Sequence, residues 1–405
     1  MILLGLSLFC LIVWLWLAGF RFRTHEPPPR LAASPPPRDP PGVVAVIPAR
    51  DEAASIGAVI ASHAGADYPG AFAIIIVDDN SSDATAENAA RAALAEGFIG
   101  DECRRSFTRL SDGRRIEIIT APALEAGWSG KLSAVQTGLD HAAAITPDAA
   151  YILLTDADIV LAKPTLSALV AKAQTNNLAL ASLMARLDAR GFWGGLLVPA
   201  FVYFFQKLYP FHAANDASSD VAAAAGGCML ADRRALDAID GVRKIRGALI
   251  DDCALARALR DNNGKLWIGL ARDEAVSLRD NRTLSSIWNM VARTAFTQLR
   301  HSWPLLIASV AGMALIYLAP PAIALTTPFH GNAGAGAIAA AAWSVMAFSY
   351  APTARNYDQA AWKTFALPVA AFFYALMTLS SGLRYLRGRG GQWKGRAYSS
   401  PSLSE

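Results

Sequence analysis

The sequence predicts an α/β domain with a mostly parallel sheet, set between apolar segments at the two ends of the chain. Short apolar runs alternate with helical patterns over residues 43–158, and polar clusters follow three of these runs. Of the 405 residues, 53% are hydrophobic and only 17% are charged, and the excess of apolar residues lies mainly at the two ends. Soluble domains carry roughly 25% charged residues, so the composition indicates a membrane protein.

Four apolar runs are predicted as buried parallel strands, because each is short and continuous and most are followed by a helical pattern. They are VVAVIP (43–48), AIIIVDD (73–79), RIEIIT (115–120) and YILLTDAD (151–158). The helical patterns extend to about residue 64, to about residue 96 and over residues 130–143. The carboxyl ends of parallel strands form one edge of a sheet, where such sheets bind ligands. The clusters PARDE, DDNSSD and DAD are expected at that edge.

The first 20 residues carry no charge and are predicted as an uncleaved transmembrane anchor. No basic segment precedes them, and Arg21 and Arg23 follow, which favours a cytoplasmic position for the C-terminal end of the anchor. A Pro-rich linker is expected over residues 21–41, where PPPRLAASPPPRDPP has eight prolines in fifteen residues. Such a composition predicts a stiff, extended spacer.

The segment after the predicted 42–303 domain, residues 304–386, is predicted to hold transmembrane helices. Its apolar stretches are 304–325, 335–350 and 365–383, of which the second is short and Ala-rich. The basic tail 387–405 is expected in the cytoplasm by the positive-inside rule. Three crossings after a cytoplasmic domain would place this tail outside, whereas two or four would satisfy the rule, and the sequence leaves this number open.

A further apolar stretch, residues 192–211, contains Pro199 and is interrupted by Gln206 and Lys207. It predicts an interfacial or re-entrant helix, and the alternative is a core helix of the soluble domain. In the interfacial interpretation, the aromatic residues occupy the membrane boundary and Lys207 reaches anionic lipid. These aromatic residues are Trp193, Phe201, Tyr203, Phe204 and Phe205.

Composition excludes several classes of function. A net charge of +4 is too small to indicate nucleic-acid binding, and it suits a protein that faces an anionic membrane leaflet. The four cysteines (Cys10, Cys103, Cys228, Cys253) form no C-x-x-C pair, which predicts neither a zinc site nor a disulfide framework. Neither a G-x-G-x-x-G nor a P-loop pattern follows the first strand, so the sequence does not support a dinucleotide-binding domain or a P-loop.

Asp156 and Asp158 follow the fourth apolar run at a spacing of two. Residues i and i+2 of a strand point to the same side, so two such carboxylates repel each other unless a cation lies between them. Hard divalent cations prefer oxygen ligands, and this pair therefore predicts a metal site. The alternative from these residues alone is a solvated strand end.

A set of motifs in a fixed order resembles the family 2 glycosyltransferases, which have the GT-A fold. The motifs are VIPARDEAASI, VDDNSSDAT, GKLSAV, TDAD, GGCML and DDCAL, and the similarity covers about residues 43–300. The anchor, the paired aspartates of DDCAL, the segment VARTAFTQLRHSW and the tail GRGGQWKGR are most similar to the hopanoid-biosynthesis-associated glycosyltransferases. The resemblance implies an inverting transfer of sugar from a nucleotide-diphosphate sugar.

The resemblance also implies roles for particular residues. Donor-binding residues would be Pro48, Ala49, Arg50, Glu52, Asp78, Asp79, Lys131 and Asp156. Asp156 and Asp158 would hold Mg²⁺ or Mn²⁺. Gly226 and Gly227 would leave room for the acceptor. Arg293 would face the diphosphate with Trp288 as a wall, and Arg300 is the alternative to Arg293; the Q-x-x-R-W motif of processive relatives is missing.

Asp252 is implied as the catalytic base, next to Asp251, which stands where the family usually has glutamate.

Several of these residues could instead have a purely structural role. Asp78 and Asp79 could form an Asx-turn or a helix cap, Lys131 could be an exposed first-turn lysine, and Asp251 and Asp252 could cap a helix.

The sequence therefore predicts a membrane-bound glycosyltransferase with a lipid acceptor of hopanoid or polyprenyl type, in a bacterial-type inner membrane with its catalytic domain in the cytoplasm. The alternative is a non-catalytic membrane protein that binds nucleotide sugars through a glycosyltransferase-like domain. The intact acidic set (Asp79, Asp156, Asp158 and Asp252) favours the enzyme.

Overall fold

The structure, a computed structural model, describes residues 1–21, 26–101, 105–388, 392–393 and 396–397. The predictions for Arg23, Cys103 and most of the 387–405 tail lie outside these residues. Arg21 is described only by its backbone.

The strands of the described chain form one large sheet and two small ones. They are β1 (Val43–Ala49), β2 (Phe72–Asp78), β3 (Ile99–Asp101), β4 (Ser106–Thr108), β5 (Arg115–Thr120), β6 (Tyr151–Thr155), β7 (Ile159–Leu161), β8 (Leu180–Met184), β9 (Cys228–Asp232), β10 (Leu266–Leu270), β11 (Ala275–Ser277), β12 (Gln392–Trp393) and β13 (Arg396–Ala397). The large sheet has the strand order β10-β8-β9-β6-β1-β2-β5-β4-β3. β7 pairs with β11, and β12 pairs with β13.

The large sheet is mostly parallel, as predicted. β1 pairs in parallel with β2 and β6, β2 with β5, and β8 with β10, whereas β9 and β4 run antiparallel to their neighbours. The carboxyl ends of β1, β2 and β6 therefore lie along one edge. Because β9 runs in the opposite direction, its first residue also lies at that edge, which brings the preceding Gly226 and Gly227 there.

The helices cover the sheet and form a separate bundle. They are α1 (Ile2–Trp16), α2 (Ile56–Ala64), α3 (Thr85–Ala95), α4 (Gly130–Ile145), α5 (Thr165–Asn176), α6 (Gly191–Leu208), α7 (Phe211–Asn215), α8 (Arg233–Asp237), α9 (Asp251–Asp261), α10 (Leu284–Gln298), α11 (Trp303–Met313), α12 (Ala319–Leu325), α13 (Thr327–His330), α14 (Ala333–Asn356) and α15 (Leu367–Leu386). A π-helical stretch, Ala314–Leu318, joins α11 to α12, and the 3₁₀ helix Ala361–Ala366 leads into α15.

One detail of the fourth predicted strand is wrong. β6 ends at Thr155, and Asp156 and Asp158 lie in the turn between β6 and β7 rather than on one side of a strand. The apolar residues of β6 are buried inside the sheet, whereas the carboxylates need polar partners, so the strand ends where the polar residues begin.

Close packing of α4 on the sheet depends on a glycine. A Cβ atom at Gly138 would lie 2.4 Å from Cγ1 of Val46 and 3.0 Å from Cγ2 of Val77, which belong to β1 and β2. Any other residue requires movement of the Val46 side chain or of the helix. This close contact fixes the position of α4, whose first turn carries Lys131.

The stretch predicted as an interfacial helix is α6, which lies between the sheet and the bundle. Its buried residues share one core with Met184 and Ile268 of the sheet and with side chains of α14 and α15. Tyr203 is fully buried, and its hydroxyl group lies 2.6 Å from Ser349 Oγ, so the prediction that Tyr203 lies at the membrane boundary is wrong. Lys207 packs over the Tyr203 ring, and burial lowers the pKa of Lys207 to about 7.

The Pro-rich segment packs on the α/β domain instead of separating it from the anchor. The carbonyl of Pro29 accepts a hydrogen bond of 2.8 Å from the backbone N–H of Leu270, at the end of β10. Arg30 donates to Asn356 Oδ1 at 2.7 Å, and Leu31 is buried. Residues 27–41 form neither helix nor strand, and their carbonyl and side-chain groups contact both the sheet and the end of α14.

Within the described residues, four helical segments are long and apolar enough to span a membrane: Ile2–Phe20, Trp303–Leu325, Ala333–Asn356 and Ala361–Leu386. Three of them pack together, because α14 contacts both α1 and α12. Leu3 and Leu6 pack near Ile323 at one end of this bundle. At the other end, Asn356 donates to the carbonyl of Ala271 in the α/β domain.

α15, the last of the four apolar helices, is placed differently from α1, α12 and α14. Asp358, in the loop before this segment, is bound by Arg186 and Arg272 of the α/β domain, at 2.6 and 2.7 Å. At the other end of α15, Arg384 donates to Asn289 of α10 at 2.8 Å. Both ends of the Ala361–Leu386 segment therefore lie on the side of the bundle that faces the α/β domain.

We expect the packing of α4 to make Gly138 indispensable. Gly138→Val should lower the free energy of unfolding by about 1–3 kcal/mol, because the added atoms overlap β1 and β2. Thermal unfolding in detergent, followed by tryptophan fluorescence, measures the change. Gly57→Ala in α2 is the matched control, since an added Cβ there meets only Ala92 Cβ at 3.9 Å. Equal melting temperatures for Gly138→Val and wild type would contradict the close contact.

Candidate active site

A cleft lies at the edge formed by the carboxyl ends of β1, β2 and β6. Its lining residues are Pro48, Arg50, Glu52, Ser129, Lys131, Asp156, Ala157, Asp158, Ala248, Leu249, Asp251, Arg279, Arg293 and Thr294. Eight of these residues were predicted as site residues from the sequence: Pro48, Arg50, Glu52, Lys131, Asp156, Asp158, Asp251 and Arg293. They come from segments that are far apart in the chain, and the sheet brings them together.

Lys131 lies between two carboxylates in this cleft. Its Nζ atom is 2.7 Å from Oδ1 of Asp156 and 3.0 Å from Oδ2 of Asp251. Although burial acts to lower the pKa of Lys131, the two carboxylates raise it above its usual value. The lysine is therefore charged at neutral pH. Ser129 begins the helix, and its hydroxyl accepts a hydrogen bond from the N–H of Leu132.

Asp158 has a different set of partners. Ser277 donates to its Oδ2 at 2.8 Å, and Nε of Arg279 lies 3.6 Å from the same oxygen. Burial raises the pKa of Asp158, while Arg279 and Ser277 act in the opposite direction. Arg279 Nη2 is also 4.0 Å from Oε1 of Glu52, so this guanidinium group connects the loop after β1 to the turn after β6.

Arg279 and Ser277 were not among the site residues predicted from the sequence. Both follow from the pairing of β11 with β7, in which Ser277 lies opposite Ile159. Nothing in the local pattern around residues 275–279 indicates a site, because the pairing joins segments more than 100 residues apart. The short polar segment RDNR (279–282) is the only local signal, and it is weak.

The loops after β1 and β2 are bound to each other. Arg50 Nη1 lies 3.6 Å from Oδ2 of Asp79 and donates to the backbone carbonyl of the same residue. Asp78 accepts hydrogen bonds from the N–H and the hydroxyl group of Ser81, an Asx-turn of the kind that the sequence left as an alternative. Thr85 accepts from the N–H of Glu52 at 2.8 Å.

Asp251 and Asp252 point to different partners at the start of α9. Asp251 lines the cleft and pairs with Lys131. Asp252 accepts hydrogen bonds from the N–H of Gly226 at 2.9 Å and from its neighbour Cys253 at 2.7 Å. Burial and the charge of Asp251 raise the pKa of Asp252 to about 6.

Several predicted residues lie beside the cleft rather than in its lining. These are Ala49, Asp78, Asp79, Gly226, Gly227 and Asp252. Gly226 nevertheless lies next to the cleft, because an added Cβ would be 3.3 Å from Nζ of the lining residue Lys131. The same Cβ would be 3.6 Å from Oδ2 of Asp252. Gly227 packs against Ile159 and Ala185.

The two further candidates on or near α10 lie elsewhere. Trp288 donates to Ser380 of α15 at 3.1 Å and is not part of the cleft lining, which makes its prediction as a wall of the site wrong. Arg300 lies in the turn after α10 and is exposed, so Arg293 is the arginine that the structure brings to the cleft.

The cleft suits a divalent cation bound by Asp156 and Asp158. Both are hard oxygen donors in one turn, and the described residues contain no group of three histidine, cysteine or acidic side chains that would complete a metal site. Mg²⁺ is usually held by one or two carboxylates together with phosphate oxygens and water. A metal at this position would therefore need ligands from a phosphate group.

Comparison with known proteins identifies the domain. Residues 44–240 match the family model described as glycosyl transferase family 2. This stretch, just under half of the chain, is similar to a family 2 glycosyltransferase domain. The match confirms the predicted enzyme class, glycosyltransferase. The comparison with curated protein sequences found no match.

Solved structures support the GT-A fold of this glycosyltransferase. The mannosyltransferase PcManGT from Pyrobaculum calidifontis, in complex with GDP-Man and Mn²⁺, is 17% identical, with a TM-score of 0.51, and the alignment covers 95% of this chain and 97% of that one. Glucosyl-3-phosphoglycerate synthase from Mycobacterium tuberculosis is 18% identical over 64% of this chain and 79% of that one, with a TM-score of 0.39. Mannosyl-3-phosphoglycerate synthase from Rubrobacter xylanophilus is 20% identical over 64% and 74%, with a TM-score of 0.38. Of these three structures, only the first has a TM-score high enough to support the fold.

Proposed function

We propose that this glycosyltransferase moves a sugar, with inversion, from a nucleotide-diphosphate sugar to a hydroxyl group of a membrane lipid. One observation carries the proposal. Arg293 and Thr294 of α10 line the cleft, while other residues of the same helix pack on α15 and α6. The helix that borders the cleft therefore belongs to the layer that joins the catalytic domain to the apolar bundle, and the lipid can reach the site from that layer.

The donor is proposed to bind along the strand ends. Pro48, Ala49, Arg50 and Glu52 with Asp78 and Asp79 would contact the nucleoside, as the family resemblance implies. Carboxylate and carbonyl oxygens at this edge can accept hydrogen bonds from a base N–H or from ribose hydroxyls. Lys131 and Arg293 would bind the diphosphate, because both cations line the cleft.

Asp156 and Asp158 are proposed to hold Mg²⁺ or Mn²⁺, in keeping with their donor set. When bound, the divalent cation stabilises the negative charge that develops on the diphosphate leaving group. Mn²⁺ and GDP-Man are present together in the similar mannosyltransferase structure, which supports the same pairing here.

Asp252 is proposed as the base that removes the proton of the acceptor hydroxyl. Asp251 is committed to Lys131, whereas among the described residues no ammonium or guanidinium group lies within 4.0 Å of Asp252. A base works best when its pKa is near the working pH, and the raised pKa of Asp252 meets this condition. Gly226 leaves space next to this carboxylate for the acceptor.

A hopanoid is the proposed acceptor, with polyprenyl lipids as the second choice. The support is the resemblance of the anchor, of DDCAL and of VARTAFTQLRHSW to the hopanoid-biosynthesis-associated glycosyltransferases. Apolar side chains exposed on the bundle, among them Ile307 and Phe348, agree with a protein that works at a lipid surface.

We expect release of nucleoside diphosphate to require both a lipid acceptor and a divalent cation. Purified protein in detergent is tested against UDP- and GDP-sugars, with hopanoid polyols, polyprenyl lipids or soluble sugars as acceptors. EDTA should abolish release, and Mg²⁺ or Mn²⁺ should restore it. Equal release with soluble sugars, or full activity in EDTA, would contradict the proposal.

The matched variants for this assay are Asp158→Asn and Asp148→Asn. Asp158→Asn should weaken donor binding by about tenfold, equivalent to about 1.4 kcal/mol, because it removes a charged metal ligand. Asp148 is exposed and precedes β6, at the opposite edge of the sheet. Its replacement should leave donor binding unchanged.

The base assignment predicts a particular pH profile. Since a base must be deprotonated, kcat/KM should fall as the pH drops through about 6, the pKa of Asp252. Asp252→Asn should retain donor binding and lose about 10²–10⁴-fold in kcat. Asp251→Asn should move the acidic limb to lower pH, because the charge of Asp251 raises the pKa of Asp252. A dead Asp251→Asn beside a near-normal Asp252→Asn would reverse the two roles.

We propose that the chain crosses the membrane three times, through α1, the α11–α12 segment and α14. The catalytic domain and the tail would then both lie in the cytoplasm, at an inner membrane of bacterial type. α15, with both ends bound on the catalytic side, would lie at the interface with α6 and α10. The sequence alone left the number of C-terminal crossings open. Two such crossings satisfy the positive-inside rule.

Cysteine labelling tests this topology. In a variant without native cysteines, Phe329→Cys, in the short helix α13, should react with an impermeant maleimide in intact spheroplasts. Arg387→Cys, just after α15, should react only after permeabilisation, like the catalytic-domain control Asp237→Cys. All three positions are exposed. Labelling of Arg387→Cys in intact spheroplasts would contradict the three-crossing arrangement.

A further inference from the structure

The two carboxylates proposed as metal ligands are each bound by a cation of the chain itself. Nζ of Lys131 lies 2.7 Å from Oδ1 of Asp156, and Nε of Arg279 lies 3.6 Å from Oδ2 of Asp158. Each cation also binds a second carboxylate: Lys131 binds Asp251, and Arg279 approaches Glu52. These contacts form two bridges across the cleft.

Charges in the lining of the cleft are balanced. Four cationic side chains, Arg50, Lys131, Arg279 and Arg293, face four carboxylates, Glu52, Asp156, Asp158 and Asp251. A divalent cation that binds alone adds two positive charges next to Lys131 and Arg279. The repulsion is substantial, because Lys131 is only 20% exposed and Asp158 only 9%, so that water screens these charges weakly.

A diphosphate changes this balance. Its negative charges offset those of the metal, and its oxygen atoms can accept hydrogen bonds from the ammonium and guanidinium groups. Lys131 and Arg279 then have anionic partners other than Asp156 and Asp158. The two carboxylates become available as metal ligands at the same moment that the phosphate oxygens supply the remaining ones.

We propose that Lys131 and Arg279 make divalent-cation binding conditional on the diphosphate, by competing with the metal for Asp156 and Asp158. This inference rests on the proposed function and adds an order to it: metal and diphosphate bind together, and the metal alone binds weakly. Arg279 thereby becomes a positioning residue of the donor site, in addition to the residues implied by the family resemblance.

Mn²⁺ binding to the purified full-length protein tests the proposal without any measurement of activity. The electron paramagnetic resonance signal of free Mn²⁺ is followed with and without UDP or GDP. For the wild-type protein, we expect Mn²⁺ affinity to rise by about tenfold or more when the nucleotide is present, within the range of measured site-to-site couplings. Lys131→Met should raise Mn²⁺ affinity without nucleotide by about tenfold and reduce the enhancement by nucleotide.

Three further variants keep the test specific. Lys131→Arg retains the charge and should retain the coupling. Lys172→Met makes the same change of net charge on α5, where Lys172 packs over Trp267, and should behave as wild type. Arg279→Gln removes the cation at Asp158 and should reproduce the effect of Lys131→Met, which provides a second test if the lysine variant does not fold.

The possible failures are distinguishable. A wild-type protein that binds neither UDP nor GDP in the presence of Mn²⁺ contradicts the proposed function itself. Nucleotide binding combined with a Mn²⁺ affinity that does not depend on nucleotide contradicts only the conditional binding. Unchanged or weaker nucleotide-free Mn²⁺ binding in Lys131→Met and Arg279→Gln likewise overturns it.

Discussion

Mutual repulsion among carboxylates at one edge of the sheet is the constraint on which the rest of the site depends. Parallel strands deliver Glu52, Asp156 and Asp158 to the same edge, and the start of α9 adds Asp251. Such a group of partly buried anions is stable only if cations lie among them. Lys131 and Arg279 meet this need, since each lies between two carboxylates.

The same constraint explains why distant segments must fold together. Arg279 reaches the cleft only because β11 pairs with β7, and Lys131 only because α4 packs closely on β1 through Gly138. The site is therefore a product of the whole sheet and not of one motif. The shared core of α6, α14, α15 and the sheet then fixes this edge relative to the apolar bundle.

Local patterns predicted much of the fold, because buried parallel strands leave a strong signal. β5 has the same bounds, 115–120, in the sequence interpretation and in the structure. What local patterns could not show is pairing between remote segments. The antiparallel direction of β9, the position of Arg279 and the separate placement of α15 all depend on contacts across more than 70 residues. The position of Tyr203 was predicted wrongly for a related reason: an aromatic, apolar helix has the same composition whether it faces lipid or a protein core.

The central claim is that one cleft holds the donor diphosphate together with a metal bound by Asp156 and Asp158. Pulsed electron paramagnetic resonance on the protein with Mn²⁺ and a nucleoside diphosphate measures it directly, through hyperfine coupling between the metal and ³¹P. We expect a coupling that shows direct phosphate coordination in the wild-type protein and its loss in the Asp156→Asn, Asp158→Asn double variant. A coupling that is missing from the wild type, or that persists unchanged in the double variant, would contradict the account.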